Sequence, residues 1–306
     1  MKINYITTQA ESDKALKELQ NVKKICLDFE TTGLSPWLAE PRLPDKYATT
    51  SPSVQNRTIY IFDLFKINPK NLMDYVANTE MLVIHNANFD LQFLLKLNVD
   101  YTGKVFDTML AERCLRAGFK EKKVSPKANK PYFADISNSL KAVASRRLEL
   151  EVDKEEQTSD WSQEELSESQ IEYAAKDVNI LPDIASDQLK ELAEENLLEV
   201  YTLEAKCIRP VALMCYRGFG VDLTKLTSLK CHINKELDKA TKVFCESLDS
   251  RLPDGSKLPR EIDGTLAIGK NAKKQFNPGS GGQVRKHFQE NRNCYSNGPK
   301  NRKTNT

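Results

Sequence analysis

The sequence has no apolar run approaching the roughly 18 residues that a membrane-crossing helix needs, so no spanning segment is expected. Residues 1–13 lack the apolar core of a secretory leader. The seven cysteines (Cys26, Cys114, Cys207, Cys215, Cys231, Cys245 and Cys294) include no C-x-x-C pair and are odd in number. That pattern argues against a zinc site and a disulfide framework, and for reduced thiols in a cytoplasmic chain. There is no internal repeat and no excess of one charge. The net charge is only +2 over 306 residues, so any contact with nucleic acid must come from local patches. What remains is the composition of a globular protein of one or two domains.

What is present first is an apolar strand that runs into acid. In Ile25-Cys26-Leu27-Asp28-Phe29-Glu30-Thr31-Thr32-Gly33-Leu34, two carboxylates stand two residues apart. Residues i and i+2 of a strand share a face, so Asp28 and Glu30 project side by side. Carboxylates that close repel each other unless a cation lies between them. Hard divalent ions favour such oxygen ligands. Taken alone, the pair also fits a strand that ends in a solvated acidic turn.

Along the chain, residues 2–7 read as a short strand, and Ser12 as the cap of a helix ending at Leu19. Residues 22–28 are a strand. Residues 35–57, broken by Pro36, Pro41, Pro44 and Pro52, read mostly as loop. Residues 58–64 and 81–85 are strands, and residues 71–77, 90–97, 108–115 and 139–147 are helical. Residues 116–130 form a basic loop (Lys120, Lys122, Lys123, Lys127, Lys130), as well explained by solvation as by nucleic-acid contact. Residues 167–192 are helical with a break near Pro182. From Asn196 the strands stop. Residues 197–216 and 223–248 read as an antiparallel helical pair reversed at Gly218 and Gly220, with an apolar stripe of Leu223, Leu226, Ile233, Leu237, Phe244 and Leu248. Beyond Ser250 the chain is polar and Gly-rich, and poor order is expected, with a disordered tail over residues 291–306.

Further acids follow the first pair. Asp90 closes Asn86-Ala87-Asn88-Phe89-Asp90, just after an apolar strand, where it also suits a helix N-cap. Asp177 closes Tyr173-Ala174-Ala175-Lys176-Asp177, and on a helix Tyr173 and Asp177 share a face. In this order and these contexts, the set resembles the DEDD 3′→5′ exonuclease superfamily. Tyrosine four residues before the last aspartate matches its DEDDy branch. The resemblance covers roughly residues 26–187, including Phe106-Asp107-Thr108-Met109-Leu110, Leu140-Lys141-Ala142-Val143-Ala144 and the stretch Val152-Asp153-Lys154 to Ser159-Asp160-Trp161. Leu203-Glu204-Ala205-Lys206, Arg209-Pro210-Val211 and Tyr216-Arg217-Gly218-Phe219-Gly220-Val221-Asp222 look like the start of a family A, bacterial DNA polymerase I-like polymerase domain. Phe276-Asn277-Pro278-Gly279-Ser280 to Gln283 looks like its thumb.

The resemblance implies an α/β, ribonuclease H-like mixed sheet over residues 1–195. A helical pair over 196–250 and a partial thumb-like segment with a tail over 251–306 would follow. It implies two divalent ions, Mg²⁺ or Mn²⁺, on Asp28, Glu30, Asp90 and Asp177, with Tyr173 positioning water and Leu34 and Asn86 touching the substrate. It further implies DNA with single-stranded 3′ ends as substrate, in replication and repair. One departure is that relatives have an apolar second strand where this chain reads Arg42-Leu43-Pro44-Asp45-Lys46-Tyr47, and proline suits a central strand poorly. That strand is therefore expected to be remodelled or the sheet weakened. Other readings are a ribonuclease D-like exoribonuclease acting on RNA, and a non-catalytic nucleic-acid-binding remnant. Polymerase aspartates and a nucleotide-positioning helix have no counterparts in these residues, which leaves room for a separate polymerase chain. On a primed template with all four deoxynucleotides, the expected outcome is primer shortening without elongation. Primer extension by the purified chain would overturn that expectation.

Overall fold

The strand at residues 24–31 is apolar on both sides from Ile25 to Leu27 because both sides are covered there. In the computed structural model, which describes residues 1–48, 57–124, 129–150, 159–252, 254, 257–269 and 275–290, β1 is Lys2–Ile6, β2 Lys24–Thr31, β3 Pro41–Ala48, β4 Thr58–Phe62, β5 Met81–Ile84 and β6 Lys104–Asp107. They form one six-stranded sheet in the order β1-β4-β3-β2-β5-β6. β1 runs parallel to β4, and β2, β5 and β6 are mutually parallel. β3 is antiparallel to both of its neighbours. Among the described residues no helix is long and apolar enough to cross a membrane.

Alternation along each strand feeds two cores. Ile25, Leu27 and Phe29 of β2, Tyr60 and Phe62 of β4, and Leu82 and Ile84 of β5 face α1 (Gln9–Leu19), α2 (Lys70–Ala77) and α3 (Ala87–Lys96). Cys26, Ile59 and Ile61 face the other way, onto Ala174, Ala175, Val178 and Leu181 of α6 (Glu168–Glu194). Between β6 and α6 lie α4 (Thr108–Leu115), a hairpin of β7 (Lys120–Val124) and β8 (Pro131–Asp135), and α5 (Leu140–Leu148). α7 (Leu198–Arg217) sends Ile208 and Ala212 into the first core, and this compact unit ends at Gly218. The sheet unit thus includes a helix that the sequence assigns to the following segment.

Several expectations need correction. Residues 41–48 are not loop but the internal strand β3. Pro44 sits where a missing N–H costs little. Leu64 N–H donates to the Arg42 carbonyl at 2.9 Å, so the backbone groups of Arg42, and by alternation those of Pro44, face β4. The ladder with β4 runs only from Asp45 to Tyr47, beyond the proline. Residues 116–130 are not simply loop, since β7 and β8 pair there as a separate two-stranded sheet. α6 does not break at Pro182. Arg57 donates to the Asn179 carbonyl at 2.7 Å and makes a bidentate pair with Asp183, bracing the backbone on both sides of the proline. Thr8, not Ser12, caps α1: its hydroxyl accepts from Glu11 N–H, and the Glu11 carboxylate accepts from Thr8 N–H. α3 begins at Ala87, three residues before the start at 90 that the sequence suggests.

The second unit, from Phe219 onward, contains α8 (Leu223–Ser250) and α9 (Gly281–Glu290). Beyond Ser250 the chain is not featureless. Leu252, Leu258 and Phe276 are buried with Cys245 and Leu248 of α8, and Asp249 accepts from Leu258 N–H and from Arg260. Leu223, Leu226, Ile233 and Leu237 remain at least half exposed along α8. The tail at 291–306 lies outside the described residues.

One buried ion pair ties the sheet together. Arg42 and Asp63 are both fully buried, with Arg42 Nε and Nη2 at 2.9 and 3.0 Å from the carboxylate. Arg42 also donates to the Glu164 carbonyl and lies over the Phe65 ring, while Tyr5 donates to Asp63. Removing one buried partner strands the other charge, a loss of about 3–5 kcal/mol. Asp63→Ala is therefore expected to destabilise the protein in urea denaturation more than Asp63→Ala combined with Arg42→Met. The reverse ranking would show that the pair is not energetically coupled.

Candidate active site

The alternation that buries Ile25, Leu27 and Phe29 on one face turns Asp28 and Glu30 to the opposite face, toward α6. There they meet Asp177. One carboxylate oxygen from each of Asp28, Glu30 and Asp177 lies within 4.8 Å of the others. Asp90 arrives from the first turn of α3. It is 1% exposed, and its Oδ1 accepts the Phe29 N–H at 3.0 Å, which pins it to the β2 backbone between the two acids. An open cleft of about 470 Å³ at the C-terminal ends of β2 and β5 is lined by these acids together with Tyr173, Leu34 and Asn86. Every residue singled out for the site from the sequence therefore faces one cavity.

Burial and mutual repulsion raise the acids together. Burial pushes Asp28 up to about 7, helped by the charge of Asp177. Glu30 and Asp90 are both held well above the usual carboxylate range, by burial first and then by Asp28. Burial brings Asp177 to about 6, partly offset by its hydrogen bond from the Tyr173 phenol. Tyr173 is itself raised above the ordinary phenol range by burial and by the facing charges of Asp177 and Glu30. It therefore keeps its proton at neutral pH. Asp177 Oδ1 is buried with no hydrogen-bond partner, an acceptor directed at nothing the protein supplies.

The sequence reading missed the groups that hold this arrangement. Asp107, the N-cap of α4, accepts from Met109 and Leu110 N–H and also from Asn86 and Ala87 N–H, at 2.9 to 3.2 Å. One carboxylate thus caps two helices and fixes the turn that presents Asn86 and Asp90. Asn86 sits at φ 67, in the left-handed region that asparagine tolerates better than most residues. His85 also lines the cleft. It pairs with the Thr108 hydroxyl at 2.8 Å, and burial lowers it to about 4, so it is neutral at physiological pH. Trp161 packs beside Tyr173 with ring centroids 6.5 Å apart. The signal for Asp107 was an acid directly after an apolar strand. Nothing in the sequence marked His85.

These shifts carry a stability consequence. A carboxyl whose folded pKa lies above its unfolded value of about 4 contributes stability only while protonated. That contribution is present below about pH 4 and is lost as pH rises through about 6 for Asp177 and about 7 for Asp28. In EDTA, Asp28→Asn is therefore expected to melt roughly 3–6 °C above the wild type at pH 8, on a scale of about 2–4 °C per kcal/mol. At pH 4.5 the two should melt nearly together. An equal difference at both pH values would show that folding does not raise Asp28.

Residues 3–193 match a family model described as 3'-5' exonuclease. DNA polymerase I of Aquifex aeolicus (strain VF5) is 30% identical over 262 residues, 80% of this chain and 40% of that protein. The chain thus spans about two fifths of the length of that curated relative. Brucella melitensis NrnC superposes with a TM-score of 0.55 at 21% identity, over 71% of this chain and 95% of that one. Escherichia coli RNase D does so with a TM-score of 0.55 at 18% identity, over 69% of this chain and 51% of that one. At these identities the likeness is one of fold, and the fold is that of the ribonuclease H-like exonucleases. With most of its sheet unit inside the family match and the cleft built from that same stretch, the chain belongs to the 3'-5' exonuclease family.

Proposed function

We propose that this chain is a metal-dependent 3′→5′ exonuclease of proofreading type, acting on single-stranded or frayed DNA 3′ ends. The observation that carries the reading is the meeting of Asp28, Glu30 and Asp177 oxygens within 4.8 Å of one another, beside buried Asp90. DNA as substrate is favoured by the DNA polymerase I relative. RNA is the competing substrate class, because RNase D and NrnC share the fold and NrnC has been seen with bound pGG. The segments 196–250 and 251–306 would be the start of a polymerase domain, and a separate polymerase chain is a candidate partner in DNA replication and repair. The free thiols are in keeping with a cytoplasmic setting.

The family is divalent-metal dependent, NrnC has been seen with bound Mg²⁺, and this donor set suits such ions. It is all oxygen, repels itself when empty of cations, and includes the unpartnered Asp177 Oδ1. Asp28, Glu30 and Asp177 would hold one ion, and Asp28 with Asp90 the second. A bound pair of Mg²⁺ or Mn²⁺ ions supplies a water made nucleophilic at neutral pH and stabilises charge on the leaving 3′-oxygen. The protein's own groups do the positioning. Tyr173, protonated at neutral pH, donates rather than accepts, and with Glu30 it orients the attacking water. Leu34, 87% exposed at the cleft mouth, offers an apolar face to the terminal base. Asn86 faces the substrate strand from the capped turn.

The test is to incubate matched DNA and RNA oligonucleotides, 3′-labelled or 5′-labelled, with Mg²⁺ or Mn²⁺. The 3′ label is expected to leave first as a mononucleotide, with DNA degraded faster than RNA. Folded Asp28→Ala is expected to lose cleavage. In single-turnover rates Tyr173→Phe should slow cleavage by about tenfold to a hundredfold, the scale of a lost positioning contact, and Asp177→Ala by more. Substantial cleavage by folded Asp28→Ala, or release of the 5′ label first, would overturn the reading.

A further inference from the structure

The β7–β8 hairpin stands apart from the rest of the molecule. It forms its own two-stranded sheet, and none of its described residues belongs to a buried hydrophobic cluster. A lone two-stranded hairpin has little intrinsic stability, and this one contributes nothing to the core. Its sequence is instead charged and aromatic. Residues 116–135 carry Arg116, Lys120, Lys122, Lys123, Lys127 and Lys130 against Glu121 and Asp135. That local excess of four positive charges is larger than the +2 of the whole chain.

The register places these side chains. Lys122 pairs directly opposite Phe133, so the two share a face. Phe133 is 71% exposed and Lys122 is exposed. Two-residue alternation adds Lys120 and Val124 to that face, and Phe119, 60% exposed, precedes it. Lys120 is neutralised by Asp135 at 3.6 Å and Lys123 by Glu121 at 2.7 Å. Among the described residues no carboxylate pairs with Lys122 or Lys130. The surface thus offers an unpacked aromatic ring beside an unpaired ammonium group, the two elements by which proteins hold single-stranded nucleic acid.

The hairpin is also tethered to the cleft. β8 ends at Asp135, and Ser139 and Leu140, which open α5, line the catalytic cavity. Phe133 is six residues from Ser139, which span at most about 21 Å of extended chain. A strand leaving the cavity covers that distance in about six nucleotides even at the duplex rise of 3.4 Å.

We infer that the exposed Lys122–Phe133 face of this hairpin is a second contact for single-stranded nucleic acid, holding the substrate strand a few nucleotides upstream of the 3′ end in the cleft. The identity of the bound strand rests on the exonuclease reading. The contact itself rests on the hairpin. Phe133 stacks on a base and Lys122 meets a phosphate, so the site serves long strands and not dinucleotides.

The test compares the full chain with the double variant Lys122→Glu/Phe133→Ser. Both positions are exposed, and unchanged melting temperature checks the fold. Binding is read by anisotropy of labelled 16-nucleotide DNA and RNA single strands in EDTA over a range of salt. Hydrolysis of the same strands and of a dinucleotide is followed with Mg²⁺. The variant is expected to bind the 16-mers about 5- to 50-fold more weakly. Its salt dependence should fall by about one phosphate contact, a slope of about 0.7. Dinucleotide hydrolysis should be unchanged, and Phe133→Trp should bind the 16-mers as the wild type does. Wild-type 16-mer binding by the double variant, or an equal loss on the dinucleotide, would overturn the inference. If the wild type hydrolyses nothing while the variant still loses 16-mer binding, the hairpin contact stands and the exonuclease reading fails. Comparison of the DNA and RNA arms shows which strand the face prefers.

Discussion

Asp28, Glu30 and Asp177 repel one another, yet the backbone brings their oxygens within 4.8 Å with Asp90 buried alongside. Among the described residues no cation pairs with them: the buried arginines Arg42 and Arg57 are paired elsewhere, with Asp63 and Asp183. Burial raises the acids toward neutrality, Asp28 to about 7 with help from the charge of Asp177, and Asp177 to about 6. The protein cannot relieve this strain by letting the acids drift apart. Asp28 and Glu30 are fixed by the pleat of an internal strand, Asp90 by the Phe29 N–H and Asp177 by a long capped helix. Unfavourable free energy held at a site in this way is offset by the packing around it.

The surrounding structure supplies that offset. Apolar side chains cover both faces of the sheet. On the far side of α6, Glu112 is fully buried and meets Arg146, Arg147 and Gln188, while Arg147 reaches on to Asp187 and Glu191. That network joins α4, α5 and α6, the helices that flank the cleft from one side. α7 closes the other side of the same turn. The Tyr201 hydroxyl accepts the Asp107 N–H at 2.9 Å, and its ring packs on Phe106. The residue that caps both α3 and α4 is thus itself held by a helix beyond the family match at 193. The turn that presents Asn86 and Asp90 is linked through Asp107 to the helix that follows the family match.

Much of this was legible in the sequence, for local reasons. A strand of alternating destination ending in D-x-E, an acid soon after an apolar strand, and tyrosine one helical turn before an acid are short-range patterns, and each projects its side chains by the geometry of one element. Strands rich in β-branched and aromatic residues, such as Ile59-Tyr60-Ile61-Phe62, also declared themselves. Where the reading failed, the deciding partner was distant in sequence. Pro44 argued against a central strand, but the cost of its missing N–H depends on where the neighbouring ladder stops, at Asp45. Pro182 argued for a break in α6, but Arg57, more than a hundred residues away, braces that turn. The basic stretch after Arg116 became a hairpin whose pairing no local propensity announced.

By itself the sequence determined which acids and which tyrosine are the candidates for chemistry, because side-chain type and its spacing along a strand or helix are properties of the chain. It determined too that one face of β2 would be apolar and the other acidic at its end. Only the tertiary structure decided that Asp90 and Asp177, from opposite layers of the sheet, would converge on that end, that one aspartate at 107 would cap two helices at once, and that Arg42 would be buried whole against Asp63. The physical reason is that burial, dielectric environment and hydrogen-bond satisfaction belong to pairs of segments brought together by folding, and a residue's own neighbours in sequence carry no record of them.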